Sequence, residues 1–271
     1  MKTRNIIPCL ILLIMAPLSA GFAEKTTNSN IKEENVTYTV GDKVYNGFIA
    51  WNENVKGKRP AVLVVHEWWG LTDYPKMRAR KLAELGYIAM AVDLFGNGKI
   101  ATNPTDAQSY TAPLYSNPQL AKSLLDAAQV KIKEYKQTDP AKVIAIGYCF
   151  GGAIVLNYAK LGGDLKAVVS FHGGLKGVTP DKDLLKAKIL VCNGGSDKFV
   201  SETDIATFKH QMDSIGATYT FKSYPGALHA FTNPASTGLG KKFNLALEYN
   251  KDADLNSWND MKKFLSSYIV K

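Results

Sequence analysis

Short apolar runs separated by helical patterns are what most constrain this chain. Pro60 to His66, Tyr87 to Val92, Val143 to Ile146, Ala167 to Phe171 and Ile189 to Cys192 are almost continuously apolar. Such runs suit strands covered on both faces, not strands with one wet side. Helical periodicity lies between them, at about Tyr74 to Leu85, Gln119 to Tyr135, Gly151 to Leu161 and Ser201 to Ser214. Ser201 is the expected N-cap of the last of these, with Asp204 in a variant capping box. Thr218 to Tyr224 reads as a further strand and Ala253 to Val270 as a closing helix. Strands alternating with helices predict a mostly parallel central sheet with helices on both faces. Val36 to Val40 and Lys43 to Trp51 alternate around Gly41-Asp42 and predict an N-terminal antiparallel hairpin. The 271 residues contain no linker or internal repeat, so residues 36–271 are expected to form a single α/β domain.

Residues 1–23 are expected to stand apart. Lys2 and Arg4 precede the apolar run Ile6 to Ala16, and Gly21-Phe22-Ala23 places small residues where a signal peptidase cuts. These three parts predict a signal peptide cleaved after Ala23 and a periplasmic or secreted product. The run is shorter than the roughly 20 residues of a membrane span, so no stable membrane insertion is expected after cleavage. Residues 24–35 are polar and read as a flexible leader. Cleavage leaves Cys149 and Cys192, too few for a disulfide scaffold. The net charge of +9 comes mainly from scattered lysines, with one cluster at Lys56, Lys58 and Arg59. No nucleic-acid motif accompanies that cluster, which reads as a solvated basic surface.

In a sheet of this kind, chemistry sits beyond the carboxyl ends of the strands. Gly147-Tyr148-Cys149-Phe150-Gly151 has the form G-x-C-x-G between a strand and a helix, the spacing of a nucleophile elbow. The glycines permit the tight turn, and a helix N-terminus favours thiolate at Cys149. A thiol nucleophile needs a base, and the base needs an orienting group. Asp197 and His229 follow in the chain order this fold uses, each at a strand end. His66 and His172 are the rival histidines; His172 is expected to line the pocket, and His210 to be solvated. The oxyanion hole is expected to use the backbone N–H groups of Phe150 and Trp68. Trp68 and Trp69 are candidates for the pocket wall, with core packing the other reading of Trp69. Tyr148 and Phe231 complete the expected pocket. Glu67 beside the thiol should have a raised pKa, or accept a bond from Cys149 or a nearby donor. His66-Glu67-Trp68-Trp69-Gly70 lacks the second histidine of a zincin motif. Cys192 reads as a small core residue.

Gly-Tyr-Cys-Phe-Gly-Gly at 147–152, Glu67, Asp93-Leu94-Phe95, Gly-Gly-Ser-Asp-Lys-Phe-Val at 194–200 and His229-Ala230-Phe231 together resemble dienelactone hydrolases. The resemblance runs from about Val36 to the C-terminus. It implies an α/β-hydrolase fold, a small-molecule ester or lactone substrate, and a thioester intermediate made without cofactor or metal. It also implies the roles of nucleophile, acid and base for Cys149, Asp197 and His229, and of thiol partner for Glu67. Well-studied members hold a substrate carboxylate with arginines, one of them just after the catalytic histidine. Here that stretch reads Ala230-Phe231-Thr232-Asn233, and no arginine follows Arg80. Two other readings of the chain are a catalytically silent ligand-binding member of the same fold and a redox-reactive thiol protein. The segments Gly96 to Pro118 and Thr232 to Lys242 are expected to shape the pocket.

Overall fold

The computed structural model describes residue 1 and residues 30–268; the signal peptide, its cleavage site and residues 24–29 lie outside the described residues. Eight strands form one sheet in the order β1-β2-β4-β3-β5-β6-β7-β8. β1 (Ile31–Val40) and β2 (Lys43–Asn52) are the antiparallel hairpin, and β2 also pairs antiparallel with β4 (Ile88–Val92). β3 (Arg59–Val65), β5 (Thr138–Tyr148), β6 (Ala167–Phe171), β7 (Lys188–Gly194) and β8 (Tyr219–Tyr224) run parallel with β4. Ala61, Leu63 and Val65 of β3 enter one core cluster, while Val62 and Val64 enter the other. Both faces of the strand are dry, which is why its sequence shows no alternation. The first cluster is closed by α3 (Pro118–Lys133), α4 (Phe150–Lys160) and α5 (Glu202–Ser214). The second is closed by α1 (Asp73–Glu84) and α7 (Lys251–Tyr268). The expected capping box between Ser201 and Asp204 opens α5.

One expectation needs correction. Residues 31–35 are not flexible leader, because β1 begins at Ile31, paired with Asn52. An edge strand is held by backbone pairing on one side, so polar side chains such as Glu33 and Glu34 do not break it. Glu33 moreover takes a two-pronged bond from Arg80, at 2.7 and 2.9 Å. The excursion from Gly96 to Pro118 contains α2 (Pro104–Ser116). Its turn-like composition includes helix-start chemistry: the Asn103 side chain accepts from Asp106 N–H at 3.0 Å, and Pro104 opens the first turn.

At the junction of β5 and α4 the chain passes against β3. Gly151 donates its N–H to His66 O at 3.1 Å, and a Cβ there would stand 2.6 Å from that oxygen. A Cβ at Gly147 would collide with the Gly151 carbonyl. Gly151→Ala is therefore expected to destabilise the fold by about 2–3 kcal/mol in urea titration, through overpacking. Gly238 lies in open space within α6 (Ser236–Phe243). Gly238→Ala should instead stabilise by about 0.5–1 kcal/mol, because alanine loses less backbone entropy in a helix.

Candidate active site

Cys149 stands between the end of β5 and the start of α4, with φ 54°. That conformation lifts its side chain above the sheet rim, at the positive end of the α4 dipole. The sulfur lies 3.1 Å from His229 Nε2, and His229 Nδ1 lies 2.8 Å from Asp197 Oδ2. The other Asp197 oxygen accepts the Phe199 N–H at 2.8 Å, which fixes the carboxylate. Burial opposes charge on His229, but the facing Cys149 sulfur and the Asp197 bond outweigh it and push its pKa up to about 10. The imidazole therefore favours carrying a proton at neutral pH. The backbone N–H groups of Trp68 and Phe150 meet no protein acceptor among the described residues. Both residues line the same cavity as the sulfur.

That cavity has a volume of about 220 Å³. Its walls are largely aromatic: Trp68, Trp69, Tyr115, Phe150 and Phe199, with Leu247 beside them. No lysine or arginine lines it among the described residues. Trp69 is both wall and packing, since it stacks on Phe243 of α6 at 5.7 Å between centroids. Glu67 contributes the cavity's carboxylate and is 3% exposed. Its Oε2 accepts the Asn233 side-chain N–H at 2.6 Å, while the sulfur faces His229 instead. Loss of solvent raises the Glu67 pKa to about 7, against the opposing pull of Asn233 and His229.

Three residues expected in the pocket lie beneath it. Tyr148 is fully buried on the other face of β5, stacked on Phe171 at 4.9 Å, because alternation turns it away from Cys149. His172 is also fully buried; its Nδ1 accepts the Cys149 N–H at 3.0 Å and its Nε2 donates to Thr232 Oγ1 at 2.7 Å. Burial first, then the His229 and Arg78 charges, push its pKa far down and keep it neutral. Phe231 packs edge-on beneath His172, with no exposure. His66, the other rival, bonds Glu67 O and accepts the Leu94 N–H, away from the sulfur. Cys149 and Cys192 are free thiols, Cys192 being enclosed in β7 beneath Tyr224.

Sequence reasoning did not single out Thr111 and Tyr115, which α2 brings to the cavity, or Phe199, whose ring lies 4.8 Å from that of His229. Phe199 sits two residues after Asp197, and that proximity was the available signal. Thr111 and Tyr115 lie in the segment Gly96 to Pro118 that was expected to shape the pocket, but which of its residues face the cavity depends on α2.

A nucleophile elbow, a histidine and a carboxylate at the carboxyl ends of a mostly parallel sheet are the arrangement of an α/β-hydrolase. Residues 45–269 match the dienelactone hydrolase family. A solved dienelactone hydrolase-like promiscuous phosphotriesterase from metagenomic libraries superposes with TM-score 0.84 at 31% identity, over 89% of this chain and 99% of that one. A solved dienelactone hydrolase candidate from Klebsiella pneumoniae shares the fold at TM-score 0.75 and 22% identity, over 88% and 99% of the two chains. Protein usf of Aquifex pyrophilus is 28% identical over 217 residues, covering 78% of this chain and 89% of its own. An Aquifex aeolicus protein provisionally named a carboxymethylenebutenolidase is 30% identical, over 69% of this chain and 81% of its own. The chain belongs to the dienelactone hydrolase family, and with it to the hydrolases of carboxylic esters and lactones.

The Glu67 environment predicts a pH effect on stability. Folded Glu67 keeps its proton up to about pH 7, whereas the unfolded side chain releases it near its ordinary 4.5. The native state then binds more protons in that window, so stability falls as pH rises through it, by up to about 3 kcal/mol. Glu67→Gln should flatten this slope in urea titrations at pH 5 and pH 8. An unchanged slope would refute the assignment.

Proposed function

We propose that the mature chain is an exported hydrolase that cleaves an uncharged ester or lactone through Cys149, His229 and Asp197. The observation that carries this reading is the line from Asp197 through His229 to the sulfur, at 2.8 and 3.1 Å. Cys149 thiolate attacks the carbonyl carbon. The resulting oxyanion is held by the free N–H groups of Trp68 and Phe150, each such donor being worth about 3 kcal/mol in the transition state. As the tetrahedral adduct collapses, His229 Nε2–H protonates the departing alkoxide and a thioester remains. Acylation removes the charge on sulfur, the first of the influences that raise the His229 pKa. The imidazole can then stay neutral and take a proton from the attacking water. Collapse of the second adduct releases the acid and returns the proton to the Cys149–His229 pair.

The cavity's charge pattern supports an uncharged substrate. A substrate carboxylate would lose its water there with no lysine or arginine among the described lining residues to receive it, and the His229 ring already faces Asp197 and the sulfur. A phosphotriester is also uncharged, and the similar metagenomic enzyme makes it the second electrophile to examine. The N-terminal tripartite pattern supports export, and N-terminal sequencing of the secreted protein should begin at Glu24.

Cys149→Ala should keep its fold by circular dichroism and lose turnover of p-nitrophenyl butyrate by about 10³-fold or more. Asp197→Asn should lose about 10²–10⁴-fold, mainly in kcat, because the imidazole loses its orienting partner. A phenyl ester bearing a free carboxylate on its acyl chain should react at least about tenfold more slowly in kcat/KM than its uncharged counterpart. Full activity in Cys149→Ala would reject the mechanism.

A further inference from the structure

The pole opposite the catalytic rim carries an unsatisfied positive charge. Arg59 opens β3 and is 5% exposed. A guanidinium has five N–H donors. Among the described residues Arg59 uses one, from Nη1 to Asn52 O at 2.7 Å, and its buried Nε–H has no partner. No carboxylate pairs with it among the described residues. Arg78 in the same chain shows what a satisfied buried guanidinium looks like. It meets Asp254 at 2.5 Å, Thr232 O at 2.6 Å and Tyr74 Oη at 3.2 Å. Leaving a buried donor unpaired is costly, so among the described residues the Arg59 Nε–H is missing an acceptor.

Around Arg59 is an open cavity of about 670 Å³ lined also by Lys56, Lys58, Lys136 and Gln137. Its lining acid is Glu53, whose carboxylate lies 3.7 Å from Lys32 Nζ. Lys58 and Lys136 are exposed and make no ion pair among the described residues. The cluster expected to be a solvated basic surface thus has the largely buried Arg59 among its lining residues, beside exposed lysine ammonium groups. The planar fork suits two oxygens of one anion, and lysines add point charges without strict geometry.

We propose that this basic cavity is a binding site for a phosphate-type oxyanion, separate from the catalytic site. Strand rise over β3 puts it roughly 20 Å below the catalytic rim. An anion held there leaves the ester cavity free. Either a soluble phosphate compound or the phosphate of a lipid headgroup offers the required chemistry.

The test uses the mature wild type, the exposed double variant Lys58→Glu/Lys136→Glu, and Arg59→Gln. Calorimetry with pyrophosphate against sodium chloride at matched ionic strength reads a soluble ligand. Co-sedimentation with phosphatidylglycerol vesicles against phosphatidylcholine vesicles reads a headgroup. Saturable binding in either arm, weakened at least about tenfold in the double variant with ester turnover unchanged, supports the site. The responding arm identifies the source. Binding in neither arm overturns the proposal, as does binding that the double variant retains in full. Arg59→Gln should weaken binding further; if it fails to fold, the exposed pair decides.

Discussion

The rim that brings Cys149 and His229 together depends on a backbone conformation that Cys149 would not adopt alone. A non-glycine residue at φ 54° and ψ −117° costs on the order of 1–3 kcal/mol. The surroundings impose it from several sides. The Cys149 N–H is shared between Phe171 O and His172 Nδ1, each at 3.0 Å, and its carbonyl accepts the Gly152 N–H at 2.9 Å. The absence of side chains at Gly147 and Gly151 lets α4 start close against β3. His172 at φ 40° and Ala230 at φ 58° adopt similarly strained conformations at the same rim. The strain aims the sulfur and the imidazole at each other.

That rim is coupled to the helices by a buried polar chain. Because His172 Nδ1 accepts from Cys149, the ring's proton is on Nε2 and is donated to Thr232 Oγ1. Thr232 meets Tyr74 Oη at 2.6 Å, and Arg78 bridges Tyr74, Thr232 O and Asp254. One chain of bonds thus joins α1, α7, the histidine loop and the backbone of Cys149. A protonated His172 would have no lone pair for Cys149, so burial and the nearby positive charges that keep it neutral are part of the support. Such networks hold when every member is satisfied. Here the Tyr148 hydroxyl, packed below Arg78, is the one left without a partner among the buried groups of this cluster.

What the sequence revealed follows from how local each signal is. The continuous apolar runs became the inner strands because both of their faces are dry, and Gly147, Cys149 and Gly151 were legible because one turn contains them. Asp197 and His229 were legible because the fold restricts functional groups to strand ends. Tyr148 and Phe231 were misplaced for a different reason: membership of a strand end does not reveal which face a side chain takes. The direction of His172 depends on Thr232, which lies 60 residues away in sequence. The helix carrying Tyr115 was hidden because proline and asparagine mark turns and helix starts alike. Arg59 looked like surface because the chain around it is polar, and its burial arises only when β3 pairs with β5.

The distribution of charge separates the molecule's two poles. Within the catalytic cavity the ionisable groups are Glu67, Cys149, His229 and Tyr115, enclosed by aromatic rings. In that dry space the His229 ring is already engaged by the sulfur and by Asp197, and no lysine or arginine among the described lining residues meets an incoming anion. The lysine cluster cannot substitute. It lies roughly 20 Å away by strand rise, about two and a half times the Debye length of physiological saline. Its field is largely spent before it reaches the rim, so the positive net charge does not by itself imply an anionic substrate. What the cavity can bind by burial is apolar surface, and under the proposed mechanism the N–H groups of Trp68 and Phe150 would hold the carbonyl oxygen.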